Sequence, residues 1–208
     1  MFFKKKKKGI QADDKVWISK VAKFKGLYRF LEKITEAGAI VLIVHHFDNT
    51  QQEVQLMLEK LEVSHQTIEA SDMVTNPTNI FVINAHNLSQ LSTLPQYLAH
   101  GNQLQVIVSE HYPAYERDQE VLQQIKDYLP NAPICFFTSL DEPFMQLFGS
   151  DRIIGMMESM GMDENESIAH SMVTKAIMKA QQKVEKHALQ TIYTASQQEW
   201  FDKREINH

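Results

Sequence analysis

Residues 39–46 read Ala-Ile-Val-Leu-Ile-Val-His-His. Ala39 to Val44 is a short, continuous apolar run, which predicts a strand buried on both faces. Similar runs follow downstream. Asn79–Asn84 (Asn-Ile-Phe-Val-Ile-Asn), Leu104–Ser109 and Ile134–Thr138 read as strands, and His65–Ile68 as a shorter one. Between them lie amphipathic stretches. Thr50–Leu61 places Val54, Met57, Leu58 and Leu61 on one side, and Glu116–Tyr128 turns Val121, Leu122, Ile125 and the adjoining Leu129 inward. Upstream, residues 14–37 read as one helix from the spacing of Val16, Val21, Phe24, Leu27, Tyr28, Leu31 and Ile34, with Gly38 closing it. Strands alternating with helices predict an open, mostly parallel α/β sheet flanked by helices.

After Thr138 the pattern changes. Asp141–Met160 reads as two short helices, with the acidic pair Asp141 and Glu142 placed to cap the first, and Asp163–Glu166 as an acidic loop. From Ser171 to about Arg204 there is neither Gly nor Pro, and Met172, Ala176, Ile177, Ala180, Val184, Ala188, Thr191, Ile192 and Ala195 recur as a stripe. One helix of about 34 residues would be about 50 Å long. That exceeds the width of a small α/β body, so part of it is expected to project or to pack on a partner.

The chain has 208 residues, 43% hydrophobic and 23% charged, a composition that excludes a disordered, collagen-like or disulfide-built protein. No apolar run approaches the roughly 20 residues a spanning helix needs. The single cysteine, Cys135, sits inside an apolar run and is expected to act as a small buried hydrophobe. Met156, Met157, Met160 and Met162 are expected to pack in the core. The net charge of −5 hides an asymmetry: residues 1–33 carry 11 Lys+Arg against 3 Asp+Glu, and the remainder 10 against 23. The opening Met-Phe-Phe is followed by Lys4, Lys5, Lys6, Lys7 and Lys8, with none of the apolar h-region of a secretory signal. Such an arm is suited either to a solvated tail that aids solubility or to an anionic membrane surface, at about 1 kcal/mol per lysine. One short basic run on an acidic body argues against nucleic acid.

The search for chemistry returns little. Neither Gly-x-x-x-x-Gly-Lys-Ser/Thr nor Gly-x-Gly-x-x-Gly occurs. In open α/β sheets ligands bind beyond the carboxyl ends of strands, and His45, His86, Glu110 and His111 fall there. They form the candidate strand-end groove. His45 and His46 should leave the strand toward opposite faces.

The stretch from Phe136 carries a resemblance. It reads Phe-Phe-Thr-Ser-Leu-Asp-Glu, then Phe-Gly-Ser-Asp-Arg-Ile, then Val173-Thr-Lys-Ala-Ile-Met-Lys-Ala-Gln-Gln-Lys-Val-Glu185. This resembles the SecA family, motor ATPases of bacterial preprotein translocation, at the end of the second RecA-like nucleotide-binding domain and the start of the long scaffold helix. The family has Phe-Tyr-Leu-Ser-Leu-Glu-Asp, Phe-Gly-Ser-Glu-Arg-Ile and Val-Thr-Lys-Ala-Ile-x-x-Ala-Gln-x-Lys-Val-Glu. A weaker likeness runs back through Val106–Asp118 and Ile40–Ile68. The resemblance implies a RecA-like domain over 14–160, after a basic arm at 1–13 and before an acidic loop and scaffold-type helix over 161–208.

The departures bear on activity. Where the family reads Gln-Leu-Arg-Gly-Arg-Ser-Gly-Arg, the chain laid ungapped has Glu120-Val121-Leu122-Gln123-Gln124-Ile125-Lys126-Asp127. Arginines that stabilise a transferring phosphoryl can contribute 10³-fold or more. Ala85-His86-Asn87-Leu88-Ser89-Gln90 stands where Gly-Arg-Gly-Thr-Asp is expected, and Val44-His45 where the family has Gly-Thr. The family's phosphate-loop domain, preprotein-binding domain and zinc-binding tail have no counterpart in these residues. The expectation is a non-catalytic SecA-like interaction module without catalytic, metal or cofactor residues. It would be cytoplasmic or peripheral to the inner membrane face, with SecA itself, the translocon or an exported chain as partner. Val173, Ile177, Ala180 and Val184 are the expected partner-binding face of the helix. The alternative is a nucleotide-binding or partial ATPase subunit that needs a separate phosphate-loop partner. An unrelated enzyme around the strand-end histidines is a third reading.

Overall fold

The structure, a computed structural model, describes residues 9–69, 78–93, 103–148, 150–186 and 192–205. Six strands form one sheet: β1 (Asp13–Trp17), β2 (Ile40–His45), β3 (Gln66–Ile68), β4 (Ile80–Asn84), β5 (Leu104–Val108) and β6 (Ile134–Ser139). Their order across the sheet is β1-β6-β5-β2-β4-β3. Every neighbouring pair is parallel. The open parallel α/β fold expected from the apolar runs is therefore present.

Helices α1 (Lys20–Glu36), α2 (Asp48–Lys60) and α3 (Tyr115–Tyr128) cover the two faces. Successive side chains of β2 divide between them, as strand geometry requires. Ile40, Leu42 and Val44 join Val121, Leu122 and Ile125 of α3. Val41 and Ile43 join Leu27 and Leu31 of α1 and Val54 and Leu58 of α2. Smaller helices follow: a 3₁₀ segment at Ala85–Thr93, then α4 (Pro143–Phe148), α5 (Ser150–Ser159), α6 (Ser171–Glu185) and α7 (Gln197–Asp202).

Two sequence expectations are corrected here. The first concerns residues 14–37, read as one helix. Asp13–Trp17 is instead an edge strand paired along β6, from Asp13 opposite Cys135 to Trp17 opposite Ser139. The helix begins only at Lys20, where Ser19 caps it by accepting the Ala22 N–H at 3.2 Å. Val16 is buried as a strand residue beside Trp17, so its fit to a helical period was incidental. Gly26 lets α1 lie against that strand: a Cβ there would meet the Trp17 ring at 2.5 Å. At the other end Gly38 has φ +74°. Gly38 N–H donates to Thr35 C=O and Ala39 N–H to Ile34 C=O, a Schellman closure.

The second concerns the long C-terminal helix. α6 has 15 residues, about 22 Å. Residues 192–196 are non-helical, and α7 starts afresh at Gln197. The Ser196 hydroxyl accepts the Glu199 N–H at 3.1 Å, and the Glu199 carboxylate accepts the Ala195 N–H at 2.7 Å. This Ser-x-x-Glu arrangement closely follows a capping box. Nor does the stripe project. Val173, Ile177, Ala180 and Val184 are buried in a third cluster with Val16, Ile168, Phe144, Trp200 and Phe201. Ile168 also pairs with Val16 of β1 through two backbone hydrogen bonds. The proposed partner-binding face is thus covered by the chain itself. The lysine arm, Lys4 to Lys8, lies outside the described residues.

Candidate functional site

The carboxyl ends of β2, β5 and β6 meet at one end of the sheet, the expected ligand position. His45 ends β2 and turns toward α2, where its Nε2 lies 2.8 Å from Gln51 Oε1. Burial holds its pKa down to about 4. His46 leaves on the opposite side, with Nε2 3.0 Å from Asp118 Oδ1 of α3. The alternation expected of adjacent strand residues is met.

Glu110 follows β5 and is buried. Its Oε1 accepts the backbone N–H groups of His46 at 3.0 Å and Phe47 at 3.1 Å, and its Oε2 accepts the Thr50 hydroxyl at 2.6 Å. These donors surround the start of α2, where orphan N–H groups and the helix dipole favour an anion. The chain fills that position with its own carboxyl group. Burial pushes the Glu110 carboxyl above its ordinary value, against the opposing pull of His46.

His111 sits between two carboxylates. Its Nδ1 is 2.6 Å from Asp118 Oδ2 and its Nε2 2.7 Å from Asp14 Oδ1. Its ring stacks on Phe136 with centroids 3.9 Å apart. Burial alone would strip the charge, but hydrogen bonds to Asp118 and Asp14 outweigh it and raise the His111 pKa to about 10. Burial would likewise raise the Asp118 carboxyl, yet His111 and His46 hold it well below the carboxylate range. Asp118 also accepts the Tyr112 N–H at 2.9 Å and the Gln181 amide of α6 at 2.6 Å. A single imidazolium therefore joins β1, α3 and, through Asp118, α6.

A second buried pair lies nearby. Lys23 Nζ of α1 reaches Glu142 Oε1 at 2.6 Å and the Ser109 carbonyl at 3.0 Å. Glu142 accepts the Ser139 N–H at 3.0 Å as well. Its neighbour Asp141 accepts the Lys20 N–H at 2.9 Å. The acidic pair expected to cap the helix after it thus serves α1 instead, because the sheet brings the starts of both helices together.

The C-terminal segment closes the strand ends. Trp200 is fully buried, and its Nε1 donates to the Tyr112 hydroxyl at 2.8 Å. Tyr112 stacks on Phe47 with centroids 5.4 Å apart. Gln197 donates to the His111 carbonyl at 2.9 Å and accepts the Phe144 N–H at 2.7 Å. Asn49 N–H donates to the Ala195 carbonyl at 3.0 Å.

The four expected groove residues therefore do not converge. His45 faces α2, Glu110 serves the start of α2 and His111 faces Asp14 and Asp118. His86 is exposed beside Tyr193, with ring centroids 5.8 Å apart. Among the described residues, no three His, Cys, Asp or Glu side chains are placed to hold a metal ion. Cys135 is buried, and burial pushes its thiol up to about 12, far from a reactive thiolate. Of the methionines, Met157 is core whereas Met160 is exposed. Sequence reasoning missed Asp14, Asp118, Gln181 and the Lys23–Glu142 pair. Only the Ser196…Glu199 spacing carried a local signal, that of the cap of α7.

The chain is similar in sequence to known proteins. A "Protein translocase subunit SecA" of Psychrobacter cryohalolentis is 27% identical over 216 residues, covering 85% of this chain. The chain is SecA-like. A second SecA, from Bacteroides thetaiotaomicron, is 28% identical over 194 residues and 84% of the chain. A third, from Chloroherpeton thalassium, is 26% identical over 183 residues and 83% of the chain. The chain spans only 17–23% of the length of these SecA proteins. No family model matches it. Among solved structures, the C-terminal part of the Fun30 ATPase domain superposes with a TM-score of 0.43 at 12% identity, over 78% of this chain and 54% of that one. The SecA-like likeness fits the RecA-like reading of the parallel sheet, and no helix among the described residues is long and apolar enough to cross a membrane.

Proposed function

We propose that this SecA-like chain is a non-catalytic interaction module associated with preprotein translocation. The observation that carries the reading is the closure of its strand ends by its own side chains. Glu110 occupies the N–H groups at the start of α2, and Trp200 and Gln197 lie over Tyr112 and His111. The ionised groups there are engaged with one another, so they hold elements together rather than face a substrate. The positions matching the family's arginines support the same reading. Leu122 packs in the core, and Gln124 and Asp127 supply no cation. The likeness to SecA supports a protein partner and a cytoplasmic or membrane-peripheral location.

Two measurements on the intact chain test this. Calorimetric titration with ATP and ADP is expected to show no binding tighter than about 1 mM. Affinity capture from cells is expected to recover SecA, translocon subunits or exported chains. Nucleotide binding in the micromolar range, or capture that returns no translocation component, overturns the proposal.

A further inference from the structure

A cavity of about 860 Å³ lies beside the sheet edge, lined by β1, α3 and α6. That volume is within the range of small-molecule sites. Ile10, Leu122, Phe136, Ile177 and Met178 contribute apolar wall. Glu110, Tyr112 and Trp200, which close the strand ends, take no part in it. The walls are tied to one another. The Gln119 carboxamide of α3 accepts the Ile10 N–H at 2.8 Å and donates to the Ile10 carbonyl at 3.3 Å. Val16 of β1 is bridged to Ile168, just ahead of α6. Such preorganisation lowers the ordering cost of binding.

Two buried acceptors at this cavity have no donor. Asp14 is 4% exposed, and its Oδ1 meets His111 Nε2 at 2.7 Å. Among the described residues nothing donates to its Oδ2. Gln181 is 2% exposed, and its Nε2 donates to the Tyr112 carbonyl at 2.8 Å and to Asp118 Oδ2 at 2.6 Å. Its Oε1 receives no hydrogen bond from the described residues. Both residues line the cavity, and neither acceptor atom is sealed from it. Asp118 differs, because His111, His46, Gln181 and the Tyr112 N–H occupy both its oxygens. Asp14 and Asp118 share the imidazolium of His111, and His46, which also bonds Asp118, does not line the cavity. The unmatched negative charge therefore sits at Asp14. The lysines on the lining do not neutralise it. Lys15 Nζ lies over the Phe30 and Phe137 rings, 5.0 and 5.4 Å from their centroids, and Lys175 is exposed without an ion pair among the described residues.

We propose that this cavity binds a small amphipathic cation, its protonated amine at the Asp14–Gln181 end and its apolar body along Leu122, Ile177 and Met178. The class of ligand follows from what is unmatched: acceptors without donors, one of them charged, at one end of an apolar cavity. An ammonium brings three donors and no acceptor, and hydrogen bonds to a carboxylate are about twice as strong as neutral ones. An anion would be repelled by Asp14. A neutral apolar molecule would leave buried acceptors unpaired, which is costly. The inference goes beyond the interaction-module reading and does not depend on it.

The test uses the intact 208-residue chain and dansylcadaverine, a fluorescent ring joined to a primary ammonium by an alkyl chain. Saturable binding, read as a rise and blue shift of dansyl emission, is expected. The N-acetylated probe, which has lost the charge, is expected to bind about tenfold more weakly, and dansyl-aminohexanoate, which ends in a carboxylate, more weakly still. Asp14→Asn keeps an acceptor for His111 but removes the charge. It is expected to weaken dansylcadaverine about tenfold and to erase its advantage over the acetylated probe. Thr174→Trp fills the cavity from the helix side and is expected to weaken every probe. Should Asp14→Asn fail to fold by circular dichroism, Thr174→Trp and the acetylated probe decide. The proposal is overturned by absence of binding, by equal binding of the acetylated probe, or by unchanged affinity in the folded variants. Self-association that the probe competes away would also overturn it, assigning the cavity to a second copy. So would binding that appears only after residues 1–8 are removed, assigning it to the chain's own lysine arm. Neither nucleotide titration nor cell capture enters these outcomes, so this inference and the interaction-module reading fail separately.

Discussion

At the scale of single residues, His111 has the largest predicted effect. It is a buried cation between Asp14 and Asp118, and replacing it leaves two carboxylates facing each other without one. His111→Gln should cost about 3–5 kcal/mol of stability, the usual consequence of breaking a buried pair from one side. The pH dependence follows from the sign of the shift. His111 holds its proton more tightly folded than unfolded. Its contribution is whole below about pH 6.5 and is lost as pH rises through about 10. His45 acts in the opposite direction. Its folded pKa is depressed to about 4, so stability falls as pH drops from about 6.5 toward that value. Urea unfolding between pH 4 and 10 should show both limbs, and His111→Gln should flatten the alkaline one. An unchanged alkaline limb would mean that the doubly bridged imidazolium is not the group responsible.

Elements show where local signals suffice and where they mislead. The start of α7 has a local signal that the reading of one long helix passed over, the capping-box spacing of Ser196 and Glu199. The absence of Gly and Pro from Ser171 onward suggested continuity instead. A cap can end one helix and begin another without either breaker. Ser196→Ala should lower stability by about 1 kcal/mol. In a Trp17→Phe background, Trp200 fluorescence should report α7 loosening before global unfolding. Coincident transitions would show that the cap has no local role. β1 is the opposite case. Five residues with two buried apolar side chains carry no periodicity that separates strand from helix. What makes Asp13–Trp17 a strand is the exposed edge of β6 beside it, which lies more than a hundred residues away.

For the whole molecule, the third apolar cluster determines what can be removed. α6 and α7 contribute Val173, Ile177, Ala180, Val184, Trp200 and Phe201 to a core shared with Val16, Phe47 and Tyr112. A chain ending at His170 would expose those partners. It should lose cooperative unfolding or become insoluble, as assessed by calorimetry and size-exclusion chromatography. A folded, monomeric truncation with an unchanged melting temperature would contradict the packing.

The apolar runs at 40–44, 80–83, 106–108 and 134–137, set between amphipathic stretches, determined a parallel α/β sheet without reference to any neighbour, because strands covered on both faces read as continuously apolar. The Val173–Glu185 motif determined the likeness to SecA. The candidate site was legible only as a location, the carboxyl ends of the strands. Which polar groups meet there was decided by tertiary structure. Asp14 and Asp118 reach His111 because the sheet places β1 two strands from β5 and α3 lies over its face. The C-terminal stripe was likewise legible as an apolar face, but not as a buried one. Spacing along a helix states which side chains face together. What covers them depends on the path of the rest of the chain.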